Sequence, residues 1–229
     1  MNTRRNIYAV VPVKDTSDAK RRLAGVLNGT RRQQLALAMC EDVLATLAGV
    51  RELAGIVVVT VDPAAAAMAA RYGAHVSSAG AREGHTGAVA AAARELAREG
   101  MLTVPADIPL VEGDDIRELI HVHRNSTRGA RAFTLVPARD ERGSNAILCS
   151  PAGAVPLRFG ADSFVPHLSA AKRCAIEPTV VRLPRIALDI DTPDDVAEFL
   201  ATPSSTHARA LLEQWRLRLD EGVSPTATA

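Results

Sequence analysis

Aromatic side chains are scarce in this sequence of 229 residues, where phenylalanine, tryptophan and tyrosine together make up 3%. Proteins that bind single-stranded nucleic acid stack the bases on aromatic side chains, so this composition argues against that role. An excess of charge of one sign is also lacking, because 27 lysines and arginines face 26 aspartates and glutamates, for a formal net charge of +1. We therefore expect no nucleic-acid partner, and any anionic ligand must be met by local charges.

Long apolar runs and paired cysteine motifs are absent as well. No run approaches the ~20 residues that cross a bilayer. The basic start leads directly into a strand-like segment with Pro12 rather than into the apolar region of a signal peptide. Cys40, Cys149 and Cys174 are far apart and form no CxxC motif. These absences predict a protein without a membrane partner that works in the reducing cytoplasm.

Common signatures of nucleotide binding and nucleophilic hydrolysis are also missing. The chain has no GxxxxGK[ST] loop, no GxGxxG after a strand and no GxSxG turn. His121 and His123 lie two residues apart in a helical pattern, which directs them to different faces. We interpret them as solvated helix side chains rather than as a metal pair, since helical pairs that bind a metal are spaced i, i+4.

What the sequence does contain is a globular composition, 47% hydrophobic, in which strand and helix patterns alternate. Such alternation predicts an α/β fold with a mostly parallel central sheet flanked by helices. In the first half the expected strands are residues 7–13, 56–61, 74–77 and 101–105, and the expected helices are residues 31–47 after Asn28 or Thr30, a segment opening at Asp62-Pro63, residues 87–98 and residues 112–124.

In the second half we expect strands at residues 131–136, 145–149 and 180–188, a helix at 162–172, and another helix that begins after Thr192 and ends at Leu200. A single domain is predicted over residues 1–202. Residues 203–229 are predicted to be a linker, an amphipathic helix at 208–219 and a frayed tail. The apolar stripe of that helix suits packing onto the parent domain or a homodimer contact, and it comprises Leu211, Leu212, Trp215 and Leu219.

Ligands of open parallel sheets bind outside the carboxyl ends of the strands. One such end is the first strand, which runs through Pro12 and Val13 into a loop that carries Lys14, Lys20 and Arg22. Loops of this kind hold phosphates with backbone N–H groups and cations. A solvated basic loop is an equally good reading of this segment alone.

Carboxylates occur at two further places along the same edge. Asp107 follows a buried strand between Pro105 and Pro109, which stiffen the turn. Asp189 and Asp191 share one face of an extended segment, where their like charges repel unless a cation joins them. Both segments also suit helix capping. We favour a site for a divalent cation such as Mg²⁺, because three fixed carboxylates provide the oxygen ligands that such an ion prefers.

Two short segments contain potential anion ligands. Gly143-Ser144-Asn145 precedes a strand and provides backbone donors, a hydroxyl and an amide, although an ordinary hairpin turn contains the same residue types. Gly160 precedes a helix whose first turn contains Ser163, which could bind an anion at the helix N-terminus or act as a plain N-cap.

Taken together, the segments VPVKDTSDAKRRL, PADIPL, GSNA, FGADSF and LDIDTPDD resemble the CofC/FbiD family over about residues 7–200. That family consists of guanylyltransferases of coenzyme F420 biosynthesis with a nucleotidyltransferase fold of the glycosyltransferase-A type. The resemblance implies transfer of GMP from GTP to 2-phospho-L-lactate, phosphoenolpyruvate or 3-phospho-D-glycerate, with release of pyrophosphate. The next enzyme of the pathway is an implied partner, since it would receive a labile product.

The resemblance also implies roles for individual residues. Mg²⁺ would be held by Asp107, Asp189 and Asp191. The triphosphate would be neutralised by Lys14, Lys20 and Arg22. The acceptor acid would contact Ser144, Asn145, Gly160 and Ser163. The nucleotide would contact Pro12, Val13, Gly84, Thr86 and Pro105.

One departure from the family pattern concerns substrate choice. Where family members commonly read Gly-Leu-Asn, this chain reads Gly84-His85-Thr86. The more polar loop raises the hypothesis that the acceptor carries an extra hydroxyl, as 3-phospho-D-glycerate does. The alternatives are a cytidylyltransferase, a molybdopterin guanylyltransferase or a non-catalytic nucleotide-binding protein. The first two usually have a Gly-rich loop after the first strand, which this chain lacks, and the third would tolerate loss of a metal carboxylate.

Overall fold

Seven strands form one sheet in the computed structural model of the chain, which describes residues 5–126, 131–160 and 162–215. The strands are β1 (Ile7–Val13), β2 (Gly55–Thr60), β3 (His75–Ser77), β4 (Gly100–Thr103), β5 (Ala132–Pro137), β6 (Ser144–Ser150) and β7 (Thr179–Val180). Their spatial order is β3-β2-β1-β4-β6-β5-β7. Only β6 runs antiparallel to its neighbours within this sheet, so the prediction of a mostly parallel sheet is confirmed.

Eight α-helices of the described residues flank the sheet. They are α1 (Gly29–Ala48), α2 (Pro63–Arg71), α3 (Gly84–Leu96), α4 (Gly113–Ser126), α5 (Phe164–Arg173), α6 (Pro184–Ala187), α7 (Pro193–Ala201) and α8 (His207–Gln214). Apolar residues of α1, α2 and α4 pack on one face of the sheet, and those of α3 and α5 pack on the other. None of these helices is long and apolar enough to cross a membrane.

The predicted helix starts follow from capping chemistry. The Asn28 side chain accepts a hydrogen bond from the Arg31 N–H, and the Asp62 side chain accepts from the first turn of α2. Thr192 and Asp195 form a reciprocal capping box at α7. Each cap satisfies backbone donors that the helix itself leaves unpaired.

The strand predicted over residues 180–188 is wrong. The chain leaves the sheet after Val180, and α6 begins at Pro184. Proline has no N–H to donate to a ladder, and its fixed φ suits the first turn of a helix. Ile186 and Leu188 of this segment are buried nonetheless, and Ile186 packs into the main core.

Helix α8 packs against α1 of its own chain. The buried carboxylate of Asp42 accepts hydrogen bonds from the backbone N–H groups of His207 and Ala208. Leu212 is 1% exposed, and Leu211 and Trp215 pack partly against the same apolar cluster. The described part of the predicted stripe therefore contacts the parent domain, whereas Leu219 lies outside the described residues. The homodimer and the domain boundary at residue 202 stay predictions.

His123 is not the solvated side chain that the sequence pattern indicated. It is 2% exposed, and its ring nitrogens lie 2.9 Å from the Thr134 and Ser150 hydroxyls. It therefore ties α4 to β5 and β6. His121, two residues earlier, is exposed as expected.

We expect His123 to make the folded state sensitive to acid. Burial lowers the pKa of this imidazole from 6.5 to about 4. The unfolded chain therefore binds more protons than the folded one in that window. The contribution of neutral His123 to the free energy of unfolding therefore has its full value above about pH 6.5. It falls by about 1.4 kcal/mol for each pH unit between about pH 6.5 and pH 4. Urea unfolding measured from about pH 7 to about pH 5 tests the slope.

The matched control for this experiment is His123→Asn, which keeps a polar side chain but no titratable ring. It should unfold with a shallower pH dependence than the wild type. Equal slopes in the two proteins would contradict the assignment to His123.

Candidate active site

Three carboxylates meet where β1 and β4 end side by side. The backbone N–H of Ile190 donates to the carbonyl oxygen of Asp107 at 3.0 Å, which holds segment 189–191 against the turn after β4. Ile190 is fully buried, so the aspartates on either side of it face the cavity edge. One oxygen each of Asp107, Asp189 and Asp191 lies within 4.8 Å of the others. The structure thus assembles the predicted acidic cluster.

Lys20 pairs with two of the three carboxylates of this cluster. Its Nζ is 2.7 Å from Asp107 Oδ2 and 2.8 Å from Asp191 Oδ1, and its side chain is 8% exposed. The residue adopts a left-handed backbone conformation with φ of 52°. Non-glycine residues adopt this region only where their surroundings hold them there. The loop after β1 is therefore built to direct this ammonium into the acidic cluster.

The other two predicted cations are more open to solvent. Arg22 lies 3.8 Å from Asp191 Oδ2, and its side chain is 72% exposed. Lys14 is exposed at the end of β1 and lines the same cavity as Lys20. Both side chains can approach a bound anion without first leaving a buried ion pair.

Burial and local charge together set the ionisation of the cluster. Burial raises the pKa of Asp189, and the negative charges of Asp107 and Asp191 add to that effect. Burial opposes ionisation of Asp191 too, but the cations, Lys20 foremost, outweigh it and lower the pKa of that carboxyl. Burial likewise disfavours the Lys20 ammonium, yet Asp107 and Asp191 raise its pKa. Three close carboxylates with one ammonium leave an excess of negative charge, which fits a hard divalent cation.

Asn145 holds one carboxylate of this cluster in place. Its Nδ2 donates to Asp189 Oδ1 at 3.1 Å and to the carbonyl oxygens of Ile186 and Ala187. The amide therefore orients the Asp189 carboxylate and holds the end of α6. Asn145 also lines the second cavity described below. Orientation of Asp189 is therefore a role that the sequence analysis did not predict, beside the predicted contact with the acceptor.

Two cavities meet at the acidic cluster. The first, of about 450 Å³, is bordered by the loop after β1, including Pro12, Val13, Lys14 and Lys20. The second, of about 720 Å³, is bordered by all four residues predicted to contact the acceptor, which are Ser144, Asn145, Gly160 and Ser163. Both cavities share one set of wall residues, namely Arg22, His85, Pro105, Asp107 and Asp191.

Gly84 and Thr86 line neither cavity. Gly84 begins α3 with φ of 74°, a conformation that glycine adopts without strain. The Thr86 hydroxyl oxygen accepts a hydrogen bond from the Phe159 N–H at 3.0 Å. Thr86 thus holds the backbone next to Gly160 in place. It does not lie on a cavity wall, where a predicted nucleotide contact would have to be.

Ser163 is 5% exposed and stands at the start of α5, yet its side chain makes no capping hydrogen bond among the described residues. The plain N-cap alternative is therefore wrong for its hydroxyl.

Two histidines lie beside the cavities: His85, which the sequence indicated as a departure that bears on acceptor choice, and His167, which the sequence analysis missed. His85 borders both cavities, and its ring centroid lies 4.2 Å from that of Phe159. Burial lowers the pKa of His85 to about 4, and its buried Nε2 has no hydrogen-bond partner among the described residues. His167 lies behind the cavity wall, where its Nδ1 is 2.9 Å from Ser144 Oγ. Its spacing of four residues from Ser163 is the signal that could have found it, because i and i+4 share a helix face.

Comparison with known proteins decides the family. The family model described as "Guanylyl transferase CofC like" matches residues 7–228, beyond the predicted limit near residue 200. The chain belongs to this family. The phosphoenolpyruvate guanylyltransferase of Roseiflexus castenholzii is 34% identical over 93% of this chain and 97% of its own. The 3-phospho-D-glycerate guanylyltransferase of Colwellia psychrerythraea is 36% identical over 86% of this chain and 91% of its own.

The fold comparison agrees with this CofC-like family. A solved structure from Desulfovibrio desulfuricans G20, assigned to the nucleotide-diphospho-sugar transferases, superposes with a TM-score of 0.69 at 19% identity. The superposition covers 91% of this chain and 94% of that one. The superposition confirms the predicted fold. The family model and the named relatives confirm the predicted family and guanylyltransferase activity.

Proposed function

We propose that this CofC-like protein transfers GMP from GTP to a phosphorylated three-carbon acid in coenzyme F420 biosynthesis. The observation that carries the proposal is the acidic cluster with Lys20 at the junction of two cavities. The first cavity has the cations that a triphosphate needs. The second has hydroxyl, amide and backbone groups that suit a small phospho-carboxylic acid. The three free cysteines agree with a cytoplasmic location.

In the proposed reaction a phosphate oxygen of the acid forms a bond to the α-phosphorus of GTP. The bond from that phosphorus to the bridging oxygen breaks, and pyrophosphate leaves. The attacking oxygen is already an anion, so no general base is needed. The obstacle is repulsion between two anions, which Lys20, Arg22 and Lys14 reduce by lying between or beside them.

The acidic cluster would hold Mg²⁺ through Asp107, Asp189 and Asp191. When bound, the ion supplies charge neutralisation at the phosphates. Asn145 keeps the Asp189 carboxylate oriented for this role. Ser144, Gly160 and Ser163 orient the acid in the second cavity, and Pro12, Val13 and Pro105 border the cavity proposed for the nucleotide.

The direct test is to mix the protein with Mg²⁺, GTP and each of 2-phospho-L-lactate, phosphoenolpyruvate and 3-phospho-D-glycerate, and to follow pyrophosphate release. Because the product is labile, a parallel reaction includes the next enzyme of the pathway. Release that depends on one acid establishes the reaction and the acceptor. No release from folded protein that binds GTP would overturn the proposed acceptor class.

His85 is the residue that we expect to influence the choice of acid. It borders the second cavity, which we propose for the acceptor acid, and its buried Nε2 lacks a hydrogen-bond partner among the described residues. If the ring pairs with the extra hydroxyl of 3-phospho-D-glycerate, His85→Leu should lower kcat/KM for this acid about tenfold relative to phosphoenolpyruvate, as expected for one lost hydrogen bond. The measurement is turnover of both acids by both proteins. Absence of product from 3-phospho-D-glycerate in the wild type would refute the idea.

A further inference from the structure

Ser144 borders the second cavity, and its hydroxyl contacts a buried histidine. Ser144 begins β6. His167 lies on α5, is 1% exposed, and places Nδ1 2.9 Å from Ser144 Oγ. His167 itself does not border the cavity. Any effect that it has on a ligand must therefore pass through Ser144 or through the neighbouring loop.

The other ring nitrogen decides which atom carries the proton. The backbone N–H of Arg158 donates to His167 Nε2 at 3.1 Å, so this nitrogen must be an acceptor. Burial lowers the pKa of the ring to about 4, and the ring is neutral at pH 7. A neutral imidazole has one donor and one acceptor nitrogen. Nδ1 therefore bears the hydrogen and donates it to Ser144 Oγ.

This direction has a consequence for Ser144. A serine hydroxyl has one hydrogen to donate. Because His167 donates to the oxygen, the hydroxyl hydrogen is not used in that contact and can point into the cavity. An anionic oxygen of a bound acid is a strong acceptor for such a hydrogen. The histidine thus orients a single donor towards the ligand.

The same ring also holds the loop that forms the next part of the cavity wall. Phe159 lies between His85 and His167, at centroid distances of 4.2 Å and 5.1 Å. Two successive backbone donors, of Arg158 and Phe159, bond to His167 and Thr86. Gly160 follows directly, so its backbone is anchored from α3 and from α5.

We propose that His167 is a positioning residue for the acceptor acid, which directs the Ser144 hydroxyl hydrogen into the second cavity. The inference rests on the proposed function for the identity of the ligand. It assigns His167 no contact with substrate. Its effect should appear in the binding of the acid and not in that of GTP, since its contacts Ser144 and Phe159 line the second cavity and not the first.

Two substitutions separate the two ring nitrogens. The amide of asparagine reaches about the position of Nδ1, so His167→Asn keeps a donor to Ser144. The amide of glutamine reaches about the position of Nε2, so His167→Gln keeps an acceptor for Arg158 and loses that donor. We expect His167→Gln to raise KM for the acid about tenfold with KM for GTP unchanged. The asparagine variant should rescue most of this loss.

Ser144→Ala provides the coupling test. If His167 acts through Ser144, the double variant Ser144→Ala/His167→Gln should bind the acid no worse than Ser144→Ala alone. Additive losses, equal losses in the Gln and Asn variants, or a parallel rise in KM for GTP would overturn the proposal. A His167 variant that fails to fold leaves the test to Ser144→Ala and to the wild type.

The wild type allows a readout that does not need turnover. Nitrogen NMR of the labelled His167 ring should show the hydrogen on Nδ1 at neutral pH, and a hydrogen on Nε2 would overturn the inference whether or not the protein is active. A wild type without acid-dependent pyrophosphate release but with the Nδ1–H ring would instead count against the proposed acceptor. The two failures are thereby distinguishable.

Discussion

Asp107→Asn should lower kcat/KM for guanylyl transfer about 10³-fold. Asp107 connects the loop after β1 with segment 189–191. Its carboxylate accepts a hydrogen bond from Lys20, and its backbone carbonyl oxygen accepts one from the Ile190 N–H. The neutral amide keeps the shape but removes a metal-ligating charge. Loss of charge stabilisation of about 4 kcal/mol in the transition state corresponds to this factor. Steady-state pyrophosphate release over a range of Mg²⁺ concentrations measures it, and the apparent Mg²⁺ affinity should fall in parallel.

The stability of this variant should change little, which separates a chemical defect from a folding defect. Removing the Asp107 charge weakens the pairing with Lys20 but also relieves its repulsion of Asp189, whose pKa it helps to raise. The matched control is Asp114→Asn, on the exposed start of α4, where the side chain is 79% exposed and pairs with Arg117. A comparable loss of activity in the control, or full activity in Asp107→Asn, would contradict the role assigned to Asp107.

Lys20→Met should reduce activity about 10²-fold and also destabilise the Mg²⁺-free protein. The loss of activity is that expected when one cation no longer stabilises the negative charge that develops on the phosphates in the transition state. The stability term arises because Asp107 and Asp191 lose their shared partner. Breaking a fully buried pair costs about 3–5 kcal/mol. We expect about 2 kcal/mol here, since these aspartate side chains are 29% and 40% exposed.

Added Mg²⁺ should stabilise Lys20→Met more than it stabilises the wild type. In the variant the ion would meet three carboxylates without the Lys20 ammonium, whereas in the wild type it competes with that ammonium for Asp107 and Asp191. Thermal unfolding with Mg²⁺ and with a chelator gives both shifts, and Lys172→Met, an exposed lysine on α5, is the control. An equal Mg²⁺ shift in Lys20→Met and the wild type would show that the ion and the ammonium do not share the carboxylates.

Much of the framework was accessible from the sequence because its causes are local. The β-branched run that forms β2 and the Asp62-Pro63 start of α2 depend on neighbours within a few residues. Parallel strands then place the ends of β1 and β4 together, so the residues after Val13 and around Asp107 could be expected at one edge. The predicted strand over residues 180–188 is wrong because the chain leaves the sheet after Val180 and Pro184 begins a helix, although the apolar pattern favoured a strand.

The sequence by itself determined the family, the alternation of strands and helices, and which carboxylates, cations and small polar residues are available to the site. Only the tertiary structure decided how those groups are paired. Asn145 bonds Asp189 across 44 positions, His167 bonds Ser144 across 23, and Lys20 bonds Asp191 across 171. Hydrogen bonds and ion pairs need atoms within about 3 Å in a defined direction. Such contacts depend on how helices, strands and loops pack together, and no local sequence pattern encodes that packing. They determine which residues Lys20, Asn145 and His167 contact in the site.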